Sequence, residues 1–161
     1  VHRVLAPDGA TWDRARMYNI EFPMAVNLLG QFGLSGGIAD LSDADKSVIK
    51  QAIDVYKQHR AHIRRAQCRL LTPPKPFGDR ESFSAIQYTD SDWHMIYAFR
   101  MSSRVSEYTL LPRALDENAK CSIRQVFPQV ESRDAYMSGK ELMEQGAWHS
   151  WRFLKVRRYS A

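Results

Sequence analysis

The sequence predicts an α+β fold, with a helical N-terminal segment at residues 1–66 and an antiparallel β-sandwich at residues 67–161. Two observations support this prediction. The hydrophobic period changes from 3.6 to 2 near residue 66, where a long amphipathic pattern ends and alternating runs begin. Those runs are short and are separated by turn residues, which is typical of a β-sandwich. Because no long linker rich in Pro, Gly or Ser separates the two parts, we expect them to pack closely.

The first 40 residues predict two short helices and a glycine-rich connection. Pro, Asp and Gly at 7–9 signal a turn, and Thr11 is a suitable cap for a helix over 12–18. Pro at the first position of 23–32 favours a second, buried helix. Its apolar residues are Met24, Val26, Leu28, Leu29 and Phe32. The glycines at 33–37 lack the G-x-x-x-x-G-K-[ST] pattern of a phosphate loop and therefore predict a turn between helices.

The stretch 42–65 predicts a long amphipathic helix. Ser42 is a suitable N-cap, and Asp45 stands where a capping box places an acid. Asp43 and Asp45 lie in the first turn, where the helix dipole favours negative charge, and basic residues crowd the last turns, where it favours positive charge. An apolar stripe at spacings of three and four consists of Val48, Ala52, Val55, Tyr56 and Ile63.

Six strands are expected after residue 66. They cover 68–72, 82–89, 93–101, 105–111, 120–127 and 151–159. Asp, Ser and Asp at 90–92 predict a hairpin turn between the second and third strands. The strand that begins at Trp93 is apolar on both faces, so we expect it at the centre of a sheet.

Two pairs of polar residues have the spacing of metal ligands. His59 and His62 lie three apart on the long helix, as zinc ligands can, but further ligands are missing and the neighbouring arginines would repel a cation. We therefore assign both histidines to a solvated helix end. Asp90 and Asp92 lack the Gly and the closing Glu of an EF-hand calcium loop, so a polar turn is the better interpretation. No metal or cofactor is expected.

Aromatic and histidine side chains are adjacent at Trp93-His94 and Trp148-His149. Tryptophan can stack on sugars or bases, but a tryptophan in a strand with apolar neighbours more often belongs to the core, and we predict that role. His94 has the opposite parity to Trp93, so a regular strand places the two side chains on different faces.

The candidate nucleophiles and acids also have structural interpretations. Cys68 and Cys121 are each predicted to be buried in a strand as small hydrophobes, and a disulfide between them requires neighbouring strands. The stretch GLSGG at 33–37 has the spacing Gly-x-Ser-x-Gly, but it follows no predicted strand, so we do not assign it as a nucleophile elbow. Asp43, Asp45 and Asp54 are assigned to helix caps and exposed faces.

Two stretches carry a family resemblance. The first is the Ser-capped helix with Arg-Leu-Leu at 69–71 and Pro73 behind it, and the second is SGKELMEQG at 138–146. The matching positions within the helix are Lys50, Ile53, Tyr56, Lys57, Arg60 and Ile63. Together they resemble the α-galactosidases of the melibiase group, glycoside hydrolase family 36, over roughly residues 24–161. Ala66 and Cys68 stand where that family usually has Gly and Tyr.

The resemblance implies that 42–65 is the last helix of a (β/α)₈ barrel and that a C-terminal β-sandwich follows it. The family's two catalytic aspartates lie on earlier barrel strands, about 5–5.5 Å apart as retention requires. That region is not in this sequence, so no catalytic residue is carried over. The expected function is that of the C-terminal portion of a retaining glycoside hydrolase acting on α-galactosides, inactive alone, which closes and braces the barrel.

The resemblance also implies partners: the upstream barrel, which binds most of the carbohydrate substrate, and further copies of the parent enzyme. Galactose, N-acetylgalactosamine and oligosaccharide transfer stay open as substrate classes. The alternative is a stand-alone β-sandwich module that binds carbohydrate or protein through exposed Trp or Tyr. The first residue, Val1, is not an initiator Met, which favours a fragment.

Charge and composition narrow the class of partner. The net charge of +5 and the pI near 9.4 invite a nucleic-acid interpretation, but the basic residues are scattered among acids, so we expect no nucleic-acid partner. No apolar run approaches the roughly 18–20 residues of a membrane span, and no membrane association is expected. The presence of only two cysteines, without a recognisable signal segment, favours the cytoplasm.

Overall fold

The computed structural model describes residues 20–34, 37–76, 83–100, 108–128, 135–148 and 153–158, with the backbone alone at 147–148 and 153–158. The chain divides into two compact units, Val1–Arg64 and Arg65–Ala161. Helices and antiparallel sheets are both present, so the predicted α+β class is confirmed. The helix expected at 12–18 lies outside the described residues. Within the described residues, no helix is both long enough and apolar enough to cross a membrane.

The first unit contains α1 (Glu21–Asn27), a 3₁₀ turn (Ile38–Asp40) and nearly all of α2 (Asp43–Arg65). Helix α1 begins two residues before Pro23 and ends earlier than the predicted 23–32. Proline is tolerated there because the first-turn N–H groups have no intrahelical partner. The helix tightens after its last residue, since Leu28 and Leu29 donate three-residue hydrogen bonds to Ala25 and Val26.

The packing of α1 is only partly as predicted. Met24 and Leu28 are buried, whereas Val26, Leu29 and Phe32 are partly exposed. Asn27 is fully buried instead, and its Nδ2 donates to the carbonyl oxygen of Gly33 at 3.4 Å. The amide thus replaces an apolar contact with a hydrogen bond to the connection after the helix.

Helix α2 confirms the predicted cap. The Asp45 N–H donates to Ser42 Oγ at 3.1 Å, and Ser42 Oγ donates to Asp45 Oδ2 at 2.8 Å. The buried line of the helix is Ile49, Ala52 and His59, so its first member is one residue beyond the predicted Val48. Steps of three and seven residues keep these three side chains on one helix face.

The second unit is built on a six-stranded antiparallel sheet with the order β1-β2-β3-β8-β5-β6, together with a two-stranded sheet, β4-β7. The elements are β1 (Gln67–Leu70), β2 (Phe83–Asp90), β3 (Trp93–Arg100), β4 (Thr109–Leu110), β5 (Lys120–Gln125), β6 (Ala135–Ser138), α3 (Gly139–Gln145), β7 (Ala147–Trp148) and β8 (Phe153–Arg158). The predicted strands all have counterparts, with 101–107 outside the described residues. Elements β6, α3 and β7 were not predicted.

Strand β3 occupies the central place that its apolar faces predict. It pairs with β2 on one side and with β8 on the other, and every residue except Arg100 is buried. One cluster of buried residues joins the large sheet to β4, α3 and the connection between β4 and β5. Its members are Ala85, Ile96, Ala98, Leu110, Leu115, Ala119, Cys121, Ile123 and Leu142.

The segment 138–146 has a structural reason for each of its distinctive residues. Ser138 and Glu141 form a capping box, in which Glu141 N–H donates to Ser138 Oγ at 3.1 Å and Ser138 N–H donates to Glu141 Oε2 at 2.8 Å. Leu142 is fully buried in the core. Any side chain at Gly139 would overlap the Asp116 carbonyl oxygen. Gly146 has a φ of 78°, which favours glycine.

We predict that Gly139→Ala lowers the free energy of unfolding by about 1–3 kcal/mol, because the added methyl group forces the Asp116 backbone to move in a packed region. Urea denaturation measures the change. Lys140→Ala, at the next and exposed position of α3, is the matched control and should stay within about 0.5 kcal/mol of wild type. Equal urea midpoints for the two variants would contradict the close approach of Gly139 to the Asp116 carbonyl group.

We predict that Glu141→Gln removes a pH-dependent part of the stability. Hydrogen bonds from the Ser138 N–H and hydroxyl hold the pKa of the Glu141 carboxyl below its ordinary value of 4.5. Such a carboxyl stabilises the fold above its unfolded pKa, and this contribution disappears as the pH falls through the folded pKa. Urea midpoints of wild type and variant should therefore differ at pH 7 and converge towards pH 3.

Glu144→Gln is the control for the loss of one negative charge on α3. Its carboxylate has an exposed ion pair with Lys140 at 3.9 Å and lies outside the cap. A difference between wild type and Glu141→Gln that stays constant from pH 7 to pH 3 would show that the cap does not carry the pH dependence.

Candidate functional site

The histidine pair on α2 is not the solvated helix end that the sequence predicted. His59 is buried, with 3% of its surface exposed, whereas His62 is partly exposed. The prediction failed for His59 because this residue continues the buried line of Ile49 and Ala52. Among the described residues, no group of three or more His, Cys, Asp or Glu side chains could hold a metal ion.

Asp90 and Asp92 bracket the predicted hairpin turn, which is confirmed. Asp90 pairs with Trp93 across the β2–β3 ladder, and Ser91 between the two acids has a φ of 53°. The carboxylate of Asp90 accepts a hydrogen bond from Arg65 Nη2 at 2.8 Å. That carboxylate therefore joins the start of the second unit to the turn.

Trp93 belongs to the core, as predicted, with 6% of its surface exposed. His94 follows it in a regular strand and contacts Gln87 and Thr89, in agreement with the predicted change of face. The Trp148 side chain and His149 lie outside the described residues. Of the helix acids, Asp43 and Asp54 are exposed and Asp45 caps α2, as the sequence indicated.

The two cysteines differ in their exposure to solvent. Cys121 is buried in β5, as predicted, but Cys68 is exposed, so the prediction of burial was wrong for that residue. The reason is that β1 is an edge strand of the sheet. Both thiols are free, and β2, β3 and β8 separate their strands, so the two cannot form a disulfide within this sheet.

A cluster of tyrosines lies near Cys68. The rings of Tyr88 and Tyr97 meet edge to face with their centroids 5.2 Å apart. Burial raises the pKa of both phenols above the ordinary value of 10.0, and Cys68 adds to the effect. A phenol with a raised pKa stays protonated at neutral pH, so this cluster is a packing contact rather than a base.

The polar groups that the structure brings together lie around Gln87, whose side chain is fully buried. Gln87 Nε2 donates to the Arg113 carbonyl oxygen at 2.7 Å, and the Arg113 N–H donates to Gln87 Oε1 at 2.9 Å. We call these two hydrogen bonds the Gln87 clamp. They fix the orientation of the amide and join the connection between β4 and β5 to strand β2 as a backbone ladder would.

The same amide continues into a second set of hydrogen bonds. Gln87 Nε2 also donates to Thr89 Oγ1 at 3.0 Å, and Thr89 Oγ1 lies 3.2 Å from His94 Nδ1. The direction of the hydrogen bond between the Thr89 hydroxyl and Nδ1 depends on which ring nitrogen of His94 carries the proton. Gln87 Nε2 and Oε1, Thr89 Oγ1 and His94 Nδ1 therefore all have partners.

Burial favours the neutral form of His94. Burial lowers its pKa below the ordinary 6.5, a nearby Asp92 raises it, and Arg69 lowers it. The imidazole is buried, and its Nδ1 is in hydrogen-bond contact with the Thr89 hydroxyl. Chemically the cluster supports the fold rather than a reaction.

Sequence reasoning missed Gln87. The signal was available, since a glutamine with the parity of Ala85 stands on an inward-facing position of an alternating strand. Its partner Arg113 could not have been found, because the contact is to backbone atoms 26 residues away.

No family model and no curated protein matches the chain, but solved structures do. The GH36 α-galactosidase AgaB of Geobacillus stearothermophilus aligns with a TM-score of 0.76 and 20% identity, over 98% of this chain and 21% of that one. The α-galactosidase of Lactobacillus brevis gives 0.77 and 15%, over 99% and 22%. The galactosidase domain of the α-galactosidase–sucrose kinase AgaSK gives 0.75 and 19%, over 98% and 22%.

The chain therefore has the fold of the C-terminal domain of GH36 α-galactosidases, and the resemblance seen in the sequence is confirmed. It spans about a fifth of the length of these structures. At 15–20% identity, this structural similarity shows the fold of the chain alone.

We predict that Gln87→Ala lowers the free energy of unfolding by about 2–4 kcal/mol, because it leaves the Arg113 N–H and C=O without partners and empties a buried site. Gln67→Ala is the matched control: this glutamine is exposed on β1 and its amide oxygen accepts from Arg69 Nη2 at 2.8 Å. Urea denaturation measures the free energy of unfolding of both variants. A Gln87→Ala loss no larger than that of Gln67→Ala would show that the clamp adds no stability.

Proposed function

We propose that this chain is the C-terminal portion of a retaining glycoside hydrolase that acts on α-galactosides. In that enzyme, α2 closes a (β/α)₈ barrel and the sheets that follow form a β-sandwich that braces it. The single observation that supports this proposal most is the alignment of nearly the whole chain with about a fifth of each α-galactosidase structure.

The contacts of the acidic residues agree with a structural role. A retaining glycosidase needs two carboxyl groups about 5–5.5 Å apart on either side of a sugar. Here Asp45 and Glu141 cap helices, Asp90 binds Arg65, and Asp116 accepts from the Asn118 N–H at 3.0 Å. These carboxylates take part in helix caps, an ion pair and a turn, so we assign catalysis to the barrel of the parent enzyme.

The test compares the chain alone with the same chain extended upstream in its own gene. We expect the extended protein to hydrolyse p-nitrophenyl α-galactoside with retention, observed by NMR of the first-formed sugar, and the chain alone to be inactive. Galactose and N-acetylgalactosamine glycosides are assayed side by side to define the sugar. Hydrolysis by the chain alone, or a gene without an upstream barrel region, would overturn the proposal.

A structural role has a further measurable consequence in the extended protein. Gly139→Ala should lower its inactivation temperature and leave kcat/KM at 25 °C within about twofold, since the change affects packing around α3. A large loss of kcat at unchanged stability would instead place this segment in the catalytic site.

The second candidate, a carbohydrate-binding module, has one observation in its favour. Tyr136 on β6 is 50% exposed, and Lys120 Nζ lies 5.9 Å from the centre of its ring, an arrangement that could accept a sugar face. Calorimetric titration of the chain with galactosides tests it. Saturable binding that Tyr136→Ala removes would favour the module over the bracing role.

A further inference from the structure

Strand β1 leaves one of its two edges exposed. It is the outermost strand of the six-stranded sheet and, within the part of the chain that the structure describes, it pairs with β2 alone. Two of its four residues, Cys68 and Leu70, are exposed, and Leu70 has 52% of its surface in contact with solvent. An edge of this kind presents backbone N–H and C=O groups to which a further strand can bind.

The pairing with β2 shows which backbone groups face outward. The Leu71 N–H donates to the Ala85 carbonyl oxygen at 2.9 Å, so the backbone of this residue and, by alternation, that of Arg69 points towards β2. The N–H and C=O groups of Cys68 and Leu70 therefore point away from the sheet. These outward groups are the ones that a further strand would bind.

The side chains of β1 divide between a polar face and an apolar face. Gln67 and Arg69 lie on the face that carries the Gln87 clamp, whereas Cys68 and Leu70 lie on the other. Arg69 Nη2 donates to Gln67 Oε1 at 2.8 Å, but Arg69 Nη1 has no hydrogen-bond partner among the described residues. A strand that binds here must therefore offer an acceptor on one face and an apolar side chain on the other.

We propose that β1 pairs antiparallel with β1 of a second copy of this chain, about a two-fold axis at Cys68. In this register Cys68 exchanges two backbone hydrogen bonds with Cys68 of the second copy. Arg69 lies opposite Gln67, and Leu70 lies opposite Ala66, the residue before β1. One isologous contact thus covers the β1 edge of both copies and joins the two large sheets.

The other symmetric registers are less favourable. A two-fold axis at Arg69 would place the two arginines directly opposite each other in a close, non-hydrogen-bonded pair, where like charges destabilise the sheet. An axis at Leu70 would use residues 71–72, where the chain bends at the end of the strand. The axis at Cys68 avoids both the repulsion and the bend.

The chain's own β1 supplies what the exposed edge requires. Gln67 Oε1 keeps a lone pair after it accepts from its own Arg69, and the register places it opposite the Arg69 guanidinium of the second copy. On the other face, Ala66 and Cys68 of the second copy offer apolar surface to Leu70. Strand β1 is therefore complementary to itself on both faces.

Sedimentation equilibrium of the 161-residue chain tests the pairing. The pairing requires no upstream segment, so its failure would leave the proposed glycosidase function unaffected. We expect a reversible monomer–dimer equilibrium in the micromolar range, as a small interface allows. A chain that stays monomeric at submillimolar concentrations would overturn the proposal.

Cys68→Pro separates this edge from any other surface of association. Proline removes an outward N–H and is tolerated there, because the hydrogen bonds to β2 come from the alternate residues. We expect the dimer Kd to rise at least about tenfold. Cys68→Ala keeps the N–H and should stay within about twofold of wild type. An unchanged Kd in a folded Cys68→Pro chain would overturn the proposal.

Charge at Gln67 gives a second test, which still decides if Cys68→Pro fails to fold. Gln67 is exposed and lies opposite Arg69 of the second copy in the proposed register. Gln67→Lys should raise the dimer Kd at least about threefold, and Gln67→Glu should lower it, because opposed charges across a strand pair repel or attract. Equal Kd values for the two variants would contradict the register.

The exposed thiol reports the register directly. The two Cys68 Cα atoms would lie about 5.5 Å apart, which is within disulfide range. Diamide, which takes one hydrogen from each of two thiols, should therefore link two copies through Cys68. In the double variant Cys68→Ser, Leu70→Cys, the introduced thiols lie about 13 Å apart and should link at least about tenfold more slowly. Equal rates would show collision rather than pairing and would overturn the proposal.

Discussion

Strand β8 is the element on which the second unit depends, because it is paired on both sides. Residues 153–157 bond to β3, and residues 154–158 bond to β5, so the last described strand lies in the interior of the sheet. Without it the sheet would separate into β1-β2-β3 and β5-β6. Since both ladders join segments distant in sequence, the entropy of closing long connections must be overcome before the sheet is complete.

Specific polar contacts join the smaller elements of the second unit to one another and to the large sheet. The Gln87 clamp holds the connection between β4 and β5 at Arg113. Further along, the Lys140 N–H donates to the Glu117 carbonyl oxygen and the Gly139 N–H donates to that of Ala119, which seats α3 on the same connection. Leu142 completes the core beneath it. These side-chain and backbone hydrogen bonds thus hold the connection between β4 and β5, and α3 with it, in place.

The residues that carry the sequence resemblance to α-galactosidases have structural roles in this chain. In the segment 138–146, the serine and glutamate cap a helix, the leucine fills the core, and the glycines allow close approach and a positive φ. Ser42 likewise caps α2. Backbone geometry and packing thus restrict which residues these positions of the chain can hold.

The sequence alone determined the local features: the cap of α2, the change of period near residue 66, the Asp90–Asp92 turn and the central position of β3. Each follows from interactions between residues close in the chain or from one strand's own pattern. Only the tertiary structure decided that Cys68 lies on an exposed edge, that His59 is buried and that Gln87 binds Arg113. Those outcomes depend on which distant segment lies against each residue, and short-range patterns carry no information about that neighbour.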